Sequence, residues 1–436
     1  MEIKTYQEAL SFIHGRPRLK KKPTLARMRE LMRLLGDPQA GLKIIHVTGT
    51  NGKGSTVAFL RNLLLAAGFS VGTFTSPYIT KFNERIALDN QMISDQEVID
   101  LAQHVASAVE KLDQQGNPPT EFEVVTAMMF SYFARVQPDF VVCEVGIGGL
   151  YDSTNIIASP LAAIIATVAM DHANLLGPTI KDIAYQKAGI IKKGKPVIIG
   201  KLPSDAEKVV RQVAAEKGAP VYALGKDFEI KIRPNGNHWG EKFNFSYHDL
   251  AFKDLKISLL GDYQAENAAL SLMAFLLATG GKNRVQDLKR VAAQGLAATK
   301  WPGRFEKIND QPLIIIDGAH NEAAMEEISS LLKTKFQGMK KYILLGMLAD
   351  KRPEKNLKQL LKIPGAEITL TDFRGPRKLA DIDKIHSDFP QTNVSEHWQL
   401  GLARIVQNMS EDDLLLITGS LYFISEVRNY FFNEDR

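Results

Sequence analysis

A single cysteine, Cys143, stands in 436 residues. That scarcity excludes an internal disulfide framework and any zinc site built on cysteine pairs, and it points to a reducing compartment. Long hydrophobic runs are also missing. The best stretch, residues 159–170, falls short of the roughly 18 apolar residues a membrane-spanning helix needs. The first 36 residues lack the apolar core of a secretory signal, so a cytoplasmic location and no membrane partner are expected. There is no internal repeat and no low-complexity segment. Charge of one sign is scarce overall, with 54 basic against 49 acidic residues, a net of +5. That excess is too small to mark a nucleic-acid binder, though it suits an anionic ligand. It is also local. Residues 1–36 carry 9 basic and 3 acidic residues, whereas residues 301–436 carry 18 and 20.

What is present is a globular composition, 45% hydrophobic and 24% charged, at a length that predicts two or three domains. Short apolar runs at 43–47, 71–74, 140–145 and 162–167 read as buried strands, with helices predicted near 55–67, 94–112 and 121–136. Strands alternating with helices imply a mostly parallel sheet covered on both faces. Residues 228–247 break the rhythm by alternating apolar and polar residues around Pro234-Asn235-Gly236-Asn237, the pattern of an antiparallel hairpin. Two helices follow, then Trp301-Pro302-Gly303, the best linker. Beyond it the strand–helix alternation restarts at 313–316, 342–345, 367–370 and 414–418.

The strongest local signal is His46-Val47-Thr48-Gly49-Thr50-Asn51-Gly52-Lys53-Gly54-Ser55-Thr56. An apolar run ends in a glycine-rich turn, and the turn opens a helix. Glycines let backbone N–H groups face phosphate oxygens, and the helix N-terminus adds the positive end of its dipole. Lys53 would reach the β- and γ-phosphates and the Ser55 hydroxyl would coordinate Mg²⁺, although Gly54 separates the two and departs from G-x-x-x-x-G-K-[ST]. The bland alternative is an ordinary glycine-rich connection. Ser76 and His172 each follow a predicted strand and Glu144 sits where one ends, at the carboxyl edge where open α/β sheets bind ligands. Gly146-Ile147-Gly148-Gly149 is not a dinucleotide fingerprint, because Tyr151 occupies the place of its last glycine.

The spelling Gly49-Thr-Asn-Gly-Lys-Gly-Ser55 resembles the phosphate loop of the Mur ligase superfamily, in its folylpolyglutamate synthase and dihydrofolate synthase branch. Further matches follow in order: Thr75-Ser76-Pro77-Tyr78, Thr120-Glu-Phe-Glu123, Glu144-Val-Gly-Ile-Gly-Gly149, Asp152-Ser-Thr-Asn155, Asp171-His172, Lys187-Ala-Gly-Ile-Ile191, Gln264 with Asn267, Pro302-Gly-Arg304, Asp317-Gly-Ala-His-Asn321 and Thr418-Gly-Ser-Leu421. Leu150 and Tyr151 depart from the branch's usual arginine and leucine, Thr24 from a glycine, and Glu322 from a proline.

The resemblance implies an α/β chain: a P-loop ATPase domain with a mostly parallel sheet over residues 1–297, and a smaller Rossmann-like α/β domain over 298–436. It implies an ATP-dependent amide ligase that joins L-glutamate to a folate or dihydropteroate carboxylate through an acyl phosphate. Thr50, Asn51, Gly52, Lys53, Gly54, Ser55 and Thr56 would bind ATP, with Asn267 on adenine, Arg304 on the phosphates and Asp317 on the nucleotide. Ser55, Ser76, Glu144 and His172 would hold Mg²⁺, two ions being expected, and Lys187 would be carbamylated. His320 would lie near the glutamate amine and Ser420 would help bind glutamate. Phe122 and Glu123 would meet the pterin, and Arg85, in a loop that could lid the site, a substrate carboxylate. Taken alone, Asp317 could be a helix cap, Lys187 a solvated lysine and Cys143 a buried thiol. The partners expected are small molecules acting on a monomer. The rivals are a cell-wall peptide ligase, for which 48 residues before the phosphate loop are too few, and a P-loop NTPase switch. The basic segment from Arg16 to Lys22 would then flank the folate entrance.

Overall fold

The apolar runs read as buried strands are strands, and they assemble around the one that carries the phosphate loop. The computed structural model describes residues 2–18, 24–236, 238–280, 285–375 and 377–432; Lys20, Lys21 and Lys22 of the basic segment lie outside them. The chain forms two compact units, Met1–Ser258 with Gln264–Thr299, and Leu259–Tyr263 with Lys300–Arg436.

In the first unit eight strands run β1 (Ile44–Thr48), β2 (Val71–Phe74), β3 (Ile86–Leu88), β4 (Gln91–Met92), β5 (Phe140–Glu144), β6 (Ala162–Ile165), β7 (Val197–Ile199) and β8 (Val221–Ala223). Their spatial order is β4-β3-β2-β5-β1-β6-β7-β8, parallel except for β3 and β4. β1, β2, β5 and β6 are buried along their whole length, as expected of strands covered on both faces. β1 lies between β5 and β6, with Val47 opposite Glu144 and Thr48 opposite Ile165. The end of β1 is therefore flanked by two other strand ends. The helices that cover the sheet are capped as their sequences suggest. Ser94 and Thr120 each open a helix with a capping box, over Asp95–Gln114 and Glu121–Val136. Apolar faces of both helices bury with Phe74 and Phe130 in one core.

The predicted hairpin proves to be a three-stranded antiparallel sheet, β9 (Glu229–Arg233), β10 (Glu241–Tyr247) and β11 (Leu250–Ile257). The third strand was hidden because its buried residues Phe252, Leu255 and Ile257 do not alternate evenly, with Asp254 in a left-handed conformation between them.

The second unit carries β12 (Glu306–Asn309), β13 (Leu313–Asp317), β14 (Lys341–Leu345), β15 (Ala366–Thr371), β16 (Asn393–Ser395) and β17 (Leu414–Thr418). They lie in the order β12-β13-β17-β14-β15-β16, and only β12 is antiparallel. Both units are thus mixed α/β with mostly parallel sheets.

A buried polar chain fixes the glycine loop after β5. His46 on β1 is fully buried, and its Nε2 lies 2.8 Å from Thr154 Oγ1. Thr154 Oγ1 itself donates to Asp152 Oδ1 at 2.6 Å, so its oxygen accepts from His46 Nε2–H. Asp152 Oδ2 in turn accepts from Ile147 N at 3.0 Å, and Thr48 Oγ1 donates to Gly148 O at 2.6 Å. Burial, with a smaller push from Lys192, lowers the His46 imidazole from 6.5 to about 3. The unfolded chain takes up a proton below pH 6.5 while the folded chain keeps His46 neutral, so stability falls as pH drops from 6.5 towards 3. At pH 5 this loss amounts to about 2 kcal/mol at most. Urea unfolding at pH 7 and pH 5 should show a smaller pH-dependent loss in His46→Gln than in the unsubstituted protein, by up to that amount. Equal losses in the two proteins would contradict a buried neutral His46.

Candidate active site

The phosphate loop follows β1, and its turn is braced from β6. Thr50 N donates to Thr167 O at 3.0 Å, Asn51 N to Thr167 Oγ1 at 2.9 Å, and Ala169 N to Thr50 Oγ1 at 3.0 Å. Gly52 has φ +81°, and a Cβ there would stand 2.5 Å from Asn267 Oδ1. Both the left-handed backbone and the close approach require glycine. The helix Lys53–Ala66 begins immediately, with Ser55 and Thr56 buried in its first turn. Thr56 Oγ1 has no hydrogen-bond partner among the described residues, and Lys53 Nζ folds back onto Gly49 O at 3.0 Å and Thr50 O at 3.3 Å. Helix N-terminus, lysine and buried hydroxyl together fit a polyphosphate.

Gly49, Thr50, Lys53, Gly146, Asp171, His172 and Lys187 line one cleft. Lys187 lies on the helix Ile180–Ala188 and is 3% exposed, so it is not the solvated lysine that its sequence context alone suggests. Burial first, then the neighbouring Lys53, push its ammonium well below the ordinary lysine value, while Asp171 offsets part of the effect. Asp171, quoted in a motif but given no role, accepts from His172 N at 2.8 Å, and its Oδ2 lies 3.8 Å from His172 Nε2. Its signal was its place after a strand end next to a histidine. Thr167, which braces the turn, left no signal, because its bonds cross 116 residues of sequence.

Ser76 and Glu144 leave adjacent strands, and Ser76 N donates to Glu144 Oε2 at 3.3 Å. Among the described residues no three His, Cys, Asp or Glu side chains gather into a cation cage. Mg²⁺ commonly takes one or two protein carboxylates and completes its shell with substrate phosphates and water. Glu144, with Ser76 beside it, offers one such carboxylate.

Phe122 packs beside the glycine loop: a Cβ on Gly146 would meet its ring at 2.7 Å. Glu123 lies in the first turn of the helix Glu121–Val136. It is fully buried, accepts from Thr120 N at 2.8 Å and pairs with Arg27 Nε at 2.7 Å. Its carboxylate anchors the helix start and Arg27. Arg85 stacks over Tyr78 and Phe82, at 5.3 and 5.8 Å from the ring centres. The surrounding loop is tied down. Glu84 accepts from the backbone N–H of Ile79, Thr80 and Lys81, and Asn83 Nδ2 donates to Ile93 O. Leu150, which departs from the branch's usual arginine, donates its N–H to Gln186 O, and Tyr151 is exposed.

In the second unit, Asp317 ends β13 and is buried. Its two oxygens accept from Phe305 N and Ala319 N, each at 2.7 Å. Burial raises its carboxyl, and Arg304 counters that. The helix cap is Asn321, not Asp317. His320 Nδ1 donates to Gly318 O at 2.8 Å, which leaves the lone pair on Nε2. Ser420 Oγ accepts from Tyr422 N at 3.2 Å at the head of the helix Leu421–Phe432. Back in the first unit, Asn267 Nδ2 donates to Gln264 Oε1 at 3.1 Å.

The model of the Mur ligase middle domain matches residues 47–275, and that of the Mur ligase glutamate ligase domain matches residues 303–421. The chain belongs to the Mur ligase family. The Bacillus subtilis dihydrofolate synthase/folylpolyglutamate synthase is 40% identical over 97% of this chain and 98% of its own. The folylpolyglutamate synthase of Lacticaseibacillus casei is 39% identical over the same shares. A folylpolyglutamate synthase solved with AMPPCP and folate superposes with a TM-score of 0.87 at 38% identity, covering 98% of this chain and 100% of that one. The Mycobacterium tuberculosis enzyme bound to ADP gives 0.88 at 26% identity over 99% of each. Within the family the chain falls in the folylpolyglutamate/dihydrofolate synthase branch, and it is an ATP-dependent ligase.

Gly52→Ala tests the loop. A Cβ in left-handed backbone costs about 1–2 kcal/mol and intrudes on Asn267. Calorimetric titration with AMPPCP should show at least tenfold weaker binding in a variant that still unfolds cooperatively. Unchanged affinity would contradict this construction of the site.

Proposed function

We propose that this chain joins the α-amine of L-glutamate to a carboxylate of folate or dihydropteroate at the expense of ATP. The observation that carries the reading is the cleft shared by Lys53 and Lys187 at the head of the phosphate-loop helix. The substrate carboxylate attacks the γ-phosphorus, the bond to the bridging oxygen breaks, and ADP leaves. The acyl phosphate is then attacked by the glutamate amine, the C–O bond to phosphate breaks, and the amine's proton passes to His320 Nε2. Lys53 and the backbone N–H groups of residues 50–54 bind the phosphates and neutralise charge as it moves to the leaving group. Mg²⁺, held by Ser55, Ser76, Glu144 and His172, supplies further charge neutralisation at the phosphates when bound. Arg304 and Asp317 engage the nucleotide, Asn267 the adenine, and Ser420 the glutamate. Phe122 stacks on the pterin and Arg85 pairs with a substrate carboxylate. The partners are small molecules and the working form is a monomer. Among the described residues no helix is long and apolar enough to cross a membrane.

Lys187 is read as a carbamate site. Desolvation and Lys53 both disfavour its ammonium, and the neutral amine is the form that adds to CO₂, forming an N–C bond and releasing one proton. The product is an anion that suits the neighbourhood of Lys53 better than an ammonium does.

Two measurements check this reading. Mass spectrometry after incubation with ATP, Mg²⁺, glutamate and either folate or dihydropteroate should show products heavier by one glutamyl residue. No such product from either substrate would sink it. Lys187→Ala should lose at least 100-fold in turnover and recover partly with short carboxylic acids, while ¹³CO₂ should give a carbamate carbon signal only in the unsubstituted protein. Full activity in Lys187→Ala, or the same signal in it, would end the carbamate proposal.

A further inference from the structure

The turn that carries His320 is fastened by a side chain from another element. Asn356 lies on the helix Pro353–Leu360 and is fully buried. Its Nδ2 donates to His320 O at 3.1 Å and to Lys351 O at 3.0 Å. Both partners are carbonyls, which only accept, so the orientation of the amide is determined. At its other end, Oδ1 is buried without a hydrogen-bond partner among the described residues. An orphaned acceptor costs stability, and the two donated bonds set against that cost both go to loop carbonyls.

What the amide does is join two loops. The turn after β13 runs from Asp317 to Asn321, and the turn Ala349–Lys351 follows β14. Both leave the carboxyl edge of one sheet, with β17 between their strands. The first turn also has local bonds, from Ala319 N to Asp317, from His320 Nδ1 to Gly318 O and from Ala324 N to Asn321 Oδ1, and its first residues are tied to the segment before β12 by Gly318 N on Gly303 O and Phe305 N on Asp317 Oδ2. Asn356 ties the turn to a different element. We propose that Asn356 is a positioning residue for amide-bond formation, holding the His320 main chain to the Lys351 loop so that the imidazole keeps one orientation. This rests on the reading of His320 as the residue that receives the amine's proton.

The test compares Asn356→Ala with Gln359→Ala, one turn further along the same helix, whose amide bonds Glu322 on the helix Glu322–Lys335 and not His320. Asn356→Ala should raise KM for glutamate or lower kcat about tenfold, with KM for ATP unchanged, and Gln359→Ala should match the unsubstituted enzyme. Asn356→Ser, which keeps one hydroxyl donor, should fall between them, and it replaces the alanine variant if that does not fold. Wild-type glutamate kinetics in a folded Asn356 variant would overturn the assignment. So would equal losses for ATP and glutamate, or failure of both variants to fold. An unsubstituted enzyme without glutamate-dependent turnover would instead overturn the functional reading itself.

Discussion

Placing Lys187 beside Lys53 in one cleft is unfavourable on its own terms, and the construction of the first unit depends on how that cost is met. Desolvation disfavours a buried ammonium, and a second cation nearby disfavours it further. Asp171 offers one negative charge at the cleft, and a triphosphate brings several more. The β1–β6 bracing, the left-handed Gly52 and the His46–Thr154–Asp152 chain all serve to keep the two lysines facing the same space before any ligand arrives. Preorganisation of this kind is where phosphoryl-transfer sites draw most of their effect, because the charges need not move as the reaction proceeds.

The second unit follows the same logic with less charge. Asp317 holds the turn through two backbone N–H groups, and Arg304 offsets the cost of burying its carboxylate. The His320 ring is locked by a carbonyl of its own turn. Both units thus present chemistry at the carboxyl ends of parallel strands, on loops that the strand ends hold in place.

Some of this could be read from sequence because the relevant chemistry is contiguous. Residues 46–56 spell out strand, turn, cation and hydroxyls in one stretch, and the buried strands appear as unbroken apolar runs. Contacts between distant segments could not be read that way. A lysine within a helix reads as solvated until the fold closes over it, as at Lys187. Glu123 reads in sequence as an acid next to an aromatic, and its pairing with Arg27, 96 residues away, leaves no mark there. β3 and β4 are three and two residues long, too short to show a period, and the left-handed Asp254 erased the alternation of β11.

The central claim is that the carboxylate is activated by phosphorylation within this cleft. It is tested most directly by following oxygen. With ¹⁸O in the substrate carboxylate, the account predicts that each amide formed releases one inorganic phosphate carrying a single ¹⁸O, read by the isotope shift in the ³¹P spectrum. Amide formation with unlabelled phosphate would contradict it.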